Sequence, residues 1–216
     1  MVLDTLLAVI LLIGAVGYIA LGIQLIAGRR GVGTLPSGVL FLFVALWVMG
    51  GAIELFASSF FMFSVGRTFH YVGTSIVPIV AYVYFREYTG QSTSIHRLVL
   101  LLIIPFVSIT LAATNAFHEM VWALPATNAQ GDFLTRPVAW GPYFLFVHAP
   151  YTYALGVAAA LSLIMHTSAV ARAHRKGLFL LLAASLGPAS AALAYDFGFG
   201  PNTVSFIPFV FTLMLP

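Results

Sequence analysis

The sequence has no cysteine, a single lysine and few charges of either sign. Without cysteine, disulfides, thiolate metal sites, c-type haem attachment and iron–sulfur clusters are all excluded. The one lysine, Lys176, stands beside His174 and Arg175 in a polar stretch, away from the apolar runs. A retinal Schiff base inside a helical bundle is therefore excluded as well. Also absent are a P-loop, an HExxH pair, carboxylates paired at catalytic spacing and a serine-nucleophile signature, which leaves no recognisable catalytic machinery. What is present is apolar: 61% of 216 residues, against 7% charged, with a mean hydropathy of +1.04. A soluble domain of this size needs a polar shell that so few charges cannot supply. The chain reads as an integral membrane protein, and its net charge of +3 is no footprint for nucleic acid.

A helical span takes about 20 apolar residues. Such runs predict spans over Leu6–Ala27, Gly38–Phe56, Thr68–Phe85, Ile95–Ala113, Tyr143–Met165 and Leu178–Tyr195, with a seventh from Val204 to Pro216. The last run has 13 residues, too few to cross a bilayer at a rise of about 1.5 Å per residue, so a truncated seventh helix is expected. The runs are continuous rather than alternating, which excludes a β-barrel. The first run lacks a basic segment before it, has Asp4 at its start and is followed by Arg29 and Arg30. That order suits an uncleaved helix with its N-terminus outside.

The other basic residues agree with this orientation. Arg29, Arg30, Arg86, Arg97, Arg172, Arg175 and Lys176 fall on one side, and only Arg67 and Arg136 on the other. Seven against two is the asymmetry that places the first set, and the C-terminus, in the cytoplasm. The 4–5 connection, Thr114 to Pro142, is the one long loop and carries Pro125, Gly131, Pro137 and Pro142. Its segment "HEMVWAL" is expected to form a short interfacial helix, with Trp122 and Trp140 at headgroup level. Pro78, Pro105, Pro150, Pro188 and Pro208 fall inside predicted spans, where proline frees a carbonyl and permits a kink. "GAVGYIALG" and "MGG" offer small residues for close helix contact.

The polar residues are layered. Glu54 ends the second span, His70 lies about a turn into the third, His148 a turn and a half into the fifth, and Asp196 closes the sixth. Asn115, His118 and Glu119 cap the fourth in "ATNAFHEMVW". Ionisable groups inside a membrane cost about 2.5–3.5 kcal/mol each and mark function or pairing. One such layer in the outer third, above nearly uncharged inner halves, outlines an outward-facing polar pocket. His148, Tyr151 and Thr152 share a helical face, and Thr74 lies a turn below His70. Glu119 reads as solvated surface, and Arg67 as a headgroup contact. His96, His166 and His174 lie beside arginines and are assigned no site. His70, His118 and His148 are the residues that could converge on Zn²⁺ or Cu²⁺, although their spacing is unlike that of recognised zinc sites. No metal or other cofactor is assigned.

Three segments carry a resemblance: "FHYVGTSIVPIVAYVYFREYTG" (Phe69–Gly90), "ATNAFHEMVW" (Ala113–Trp122) and "FLFVHAPYTYALGVAAAL" (Phe144–Leu161). Their most specific parts are Pro78 with Tyr88-Thr89-Gly90, Thr114-Asn115 with His118, and His148 with Tyr151. In these the chain resembles the N-terminal seven-helix sensor region of membrane histidine kinases, a region also found ahead of diguanylate cyclase modules. The resemblance covers nearly the whole chain, residues 1–216 as one sensor domain. It implies a receptor module in a prokaryotic plasma (inner) membrane, whose seventh helix continues into a cytoplasmic output domain of a two-component system. No phospho-accepting histidine motif or ATP-binding segment is present, so the chain itself is no enzyme.

The expectation is an all-α, seven-transmembrane-helix bundle, N-terminus outside. A small ligand would meet Glu54, His70, Thr74, Asn115, His118, His148, Tyr151, Thr152 and Asp196, with membrane lipid around the bundle, and a homodimer is compatible with this. Binding signals only if the two packings of the bundle differ in affinity for the ligand. Imidazoles titrating near pH 6.5 would add pH dependence. The alternative is a membrane carrier or metal-handling protein using the same histidine cluster, which requires a polar path continuing inward. A membrane enzyme with a bound metal is a third reading.

Overall fold

The computed structural model describes residues 2–28, 33–124, 127, 131, 139–165, 187–199 and 207–213. Helices α1 (Val2–Gly28), α2 (Thr34–Phe56), α3 (Phe60–Tyr88), α4 (Ile95–Ala113) and α5 (Ala149–Met165) follow the apolar runs. A π-helical turn, Phe144–His148, leads into α5. The described parts of the last two helices are α6 (187–196) and α7 (Ile207–Leu213). Among the described residues, five helices are long and apolar enough to cross a membrane. In that medium each backbone N–H and C=O must bond within its own segment, which selects helices. Outward faces are correspondingly greasy: Ile13 and Val16 on α1, Leu100 and Phe106 on α4, Val157 and Ile164 on α5. Expectations on Arg29, Arg30, Arg136, Arg172, Arg175, Lys176, His166, His174, Pro125 and Pro137 lie outside the described residues, as do much of the sixth run and both ends of the seventh.

Lipid tails are as apolar as leucine, so helices associate here through close packing of small residues. Glycines set the distances. A Cβ on Gly22 would lie 2.9 Å from the Gly38 carbonyl oxygen, so α1 and α2 meet backbone to backbone. A Cβ on Gly50 would lie 2.6 Å from the His70 nitrogen, and one on Gly66 2.9 Å from the Glu54 nitrogen. Helices α2 and α3 therefore cross at a contact only glycine permits, and Gly73 in α3 receives the Trp47 side chain in the same way. Leu11, Ala15 and Tyr18 of α1 pack on Val44, Ala45, Val48 and Ala52 of α2. Helix α3 is central, packing on α2, α4 and α5. Helix α7 lies against α1 and α2, where Gly14 faces Thr212 and Gly51 faces Pro208.

Two expectations change. Helix α3 begins two turns earlier than its apolar run, because Ser59 caps it by accepting from the Met62 N–H at 3.3 Å. His70 is thus about 15 Å along the helix rather than one turn in, and Arg67 is a helix residue rather than a loop charge. The "HEMVWAL" segment is not helical. After a single 3-10 turn, Asn115–Phe117, the chain extends, and Trp122 pairs antiparallel with Trp140. The Ala123 N–H donates to the Ala139 carbonyl at 3.0 Å and the Gly141 N–H to that of Val121 at 2.9 Å. Trp122 is buried, at 2% exposure, instead of lying among headgroups.

Candidate functional site

The close α2–α3 crossing places a carboxylate, a guanidinium and an imidazole together. Glu54 Oε2 lies 3.8 Å from Arg67 Nη1, and Glu54 Oε1 lies 3.2 Å from His70 Nδ1. All three residues are buried. Arg67 and His70 are three apart on α3 and so share a face, with the Gly50–Gly66 contact bringing Glu54 onto it. Snorkelling of Glu54 and a phosphate contact for Arg67 are both ruled out by this burial. The cluster is enclosed by aromatic rings. Arg67 lies 5.0 Å over Phe63 and 5.3 Å over Trp122, an arrangement that stabilises a desolvated cation. The Trp47 ring is 5.7 Å from His70, and Tyr71 is 5.6 Å from Trp122.

A second polar chain adjoins it. The His148 ring packs 5.1 Å from Tyr71, its Nδ1 lies 3.1 Å from Ser108 Oγ, and Ser108 Oγ lies 2.9 Å from the Tyr143 hydroxyl. His148 ends the π-helical turn, in which the Ala149 N–H donates to the Phe144 carbonyl five residues back. Pro150 follows and has no N–H to give, so the wider turn meets the local hydrogen-bond deficit and turns His148 inward. On α6, the Asp196 carboxylate accepts from the Tyr153 hydroxyl, and Tyr195 is buried against Trp47 and Ile207.

The described helices thus surround a buried ionic centre with an aromatic shell, and the sequence as a whole points the same way. Residues 5–216 match the family model described as the N-terminal 7TM region of histidine kinase. The chain belongs to this family. No curated protein and no solved structure matches it. It is accordingly a sensory transmembrane module, all-α and multi-pass, of the kind that precedes a histidine kinase.

Within this seven-helix sensor region the expected residues divide. Glu54, His70, His148 and Asp196 lie in or beside the central cluster. The other five are engaged by nearby backbone or by the loop. The Asn115 amide donates to the Trp122 carbonyl at 2.8 Å and its oxygen accepts from the Val121 and Trp122 N–H groups at 2.9 and 3.3 Å. His118 Nδ1 accepts from the Met120 N–H at 3.1 Å, which leaves its Nε2 to donate to Thr114 Oγ1 at 3.0 Å. The Tyr151 hydroxyl donates to the Leu101 carbonyl across α4. Thr74 donates to the Tyr71 carbonyl and Thr152 to those of His148 and Ala149. The exposed Glu119 adopts a left-handed backbone conformation, φ 52°. Among the described residues no three His, Asp or Glu side chains gather into a set that could hold a metal ion, so His70, His118 and His148 do not assemble as one.

Sequence reasoning missed Arg67, Trp47, Tyr71, Ser108, Trp122, Tyr143 and Tyr153. For Arg67 a signal existed: Ser59 before "FFMF" is a cap, and starting α3 there puts Arg67, His70 and Tyr71 at helical i, i+3 and i+4.

Proposed function

We propose that this sensory module detects a small ligand at its outer end, in the cluster of Glu54, Arg67, His70, His148 and Asp196, and passes the event to a cytoplasmic histidine kinase through α7. The proposed orientation puts the N-terminus and the 4–5 connection outside, as the loop charges favour. The single observation that carries this reading is Trp47. Its ring lies 5.7 Å from His70 in the cluster and 4.9 Å from Phe211 on α7. A change in how the cluster packs is thereby conveyed to the helix that leads inward. The Tyr18 hydroxyl donates to the Phe211 carbonyl, so α7 is held against α1 at the same level. Asn115, His118, Tyr151, Thr74 and Thr152 support this site by fixing the loop and helix ends, and a ligand must favour one packing of the bundle over the other.

The test is autophosphorylation by the full-length receptor in membranes, with His70→Gln and His148→Gln. Either substitution is expected to shift basal kinase output while expression and thermal stability are kept. Unchanged output in both well-folded variants would refute the sensory role of the cluster.

A further inference from the structure

Two buried donors next to Arg67 lack an acceptor among the described residues. Among the described residues the Trp122 indole N–H and the Tyr71 hydroxyl have no hydrogen-bond partner, although these two residues are only 2% and 3% exposed. Their rings lie 5.6 Å apart. Burying an unpaired donor is costly, and an indole N–H can only donate. The charged acceptors close by face other groups: the Glu54 oxygens lie toward Arg67 and His70, and the Asp196 carboxylate takes the Tyr153 hydroxyl. Among the described residues no acceptor reaches either donor, and one ligand oxygen would satisfy both.

The charges narrow its class. A cationic ligand would normally favour such an aromatic box, but the Arg67 guanidinium already covers the Phe63 and Trp122 faces. An anion would be drawn by Arg67, but Glu54 already faces that guanidinium and Asp196 adds a second negative charge nearby, and the anion would have to be desolvated to enter. A neutral molecule with a carbonyl oxygen meets both constraints. The rings around it favour a flat body: Tyr71 lies 5.1 Å from His148, and Trp140 stacks on Phe144 at 3.8 Å. We propose that the Tyr71–Trp122 corner binds a flat, neutral, carbonyl-bearing ligand through these two donors. This rests on the reading of the outer cluster as the sensory site.

The chain has three tryptophans, so indole-¹⁵N labelling of the whole chain in detergent gives one N–H resonance each for Trp47, Trp122 and Trp140. The probes are N,N-dimethylbenzamide and its similarly sized charged counterparts, benzoate and benzylamine. The amide should move the Trp122 indole proton downfield and saturably. Trp140, whose Nε1 already donates to the Asp196 carbonyl at 3.4 Å, should move little. Benzoate and benzylamine should need at least about tenfold higher concentration, and Tyr71→Phe should raise the half-saturation concentration for the amide about fivefold, the loss of one hydrogen bond. If Tyr71→Phe does not fold, saturation transfer to the amide in Trp122→Phe should show the same weakening. A charged probe shifting Trp122 more readily than the amide would overturn the ligand class and leave the site standing. No shift of Trp122 with any probe would overturn the proposal, while the kinase output of the His70 and His148 variants decides the sensory reading separately.

Discussion

Removing the Arg67 charge should reveal how the ionic centre is held. Glu54 and Arg67 approach to 3.8 Å with side chains 0% and 2% exposed. At an effective dielectric of about 20, opposite charges at that distance attract by ~4 kcal/mol. Arg67→Met keeps most of the side-chain volume but leaves Glu54 buried with His70 as its remaining partner. Breaking a buried pair from one side costs about 3–5 kcal/mol, because the residual charge is uncompensated. For a chain of this length that corresponds to a fall in Tm of roughly 6–20 °C. Glu54→Gln should also destabilise, by stranding Arg67. The double variant Arg67→Met/Glu54→Gln removes both charges and should recover much of the loss, since apolar replacement of a whole buried pair is often neutral. Thermal unfolding of the four proteins in one detergent, followed by circular dichroism, closes the cycle. A double variant whose loss equals the sum of the two single losses would refute the coupling, and with it the view that Glu54 is held in place by Arg67.

Four further outcomes are expected. Gly66→Ala sets a Cβ 2.9 Å from the Glu54 nitrogen and should cost about 1–3 kcal/mol by overpacking, whereas Gly28→Ala, with nothing within 4 Å, should leave the unfolding temperature unchanged. Asn115→Ala removes three hydrogen bonds to Val121 and Trp122, at about 1 kcal/mol each, and hydrogen exchange at those two amides should quicken by tens of fold. Trp47→Leu, which parts His70 from Phe211, should abolish the kinase response while leaving probe shifts at Trp122 in place; a preserved response would refute the α7 route. The cysteine-free chain allows single-cysteine labelling: the exposed Ala116→Cys should react with an impermeant maleimide on intact cells, and the exposed Ser92→Cys only after lysis.

Part of the site was legible because membrane burial makes every charge conspicuous. Glu54, His70 and His148 stand out against long apolar runs, and that contrast survives without any knowledge of packing. Arg67 was hidden because a basic residue near a predicted helix end has an ordinary explanation at the headgroups. Only the earlier start of α3 turns it inward. Tyr151, Thr74 and Thr152 were harder to place: a hydroxyl in a membrane helix often bonds nearby backbone, as all three do, and sequence spacing cannot tell that from a pocket. Asn115 and His118 are patterned strongly in the sequence, yet their polar atoms hold the 4–5 loop in its extended bridge.

By itself, then, the sequence determined the solvent and the class. Twenty-residue apolar runs require helices in lipid, the basic residues favour an orientation, and the near absence of charge makes the few remaining ones costly enough to be paired or functional. The tertiary structure decided which of them meet. Glycines at positions 50, 66 and 73 let α2 and α3 approach until Glu54, Arg67, His70 and Trp47 form one centre. That outcome depends on close approaches, which a single Cβ would block, between backbones far apart in the chain, and composition and periodicity do not encode them.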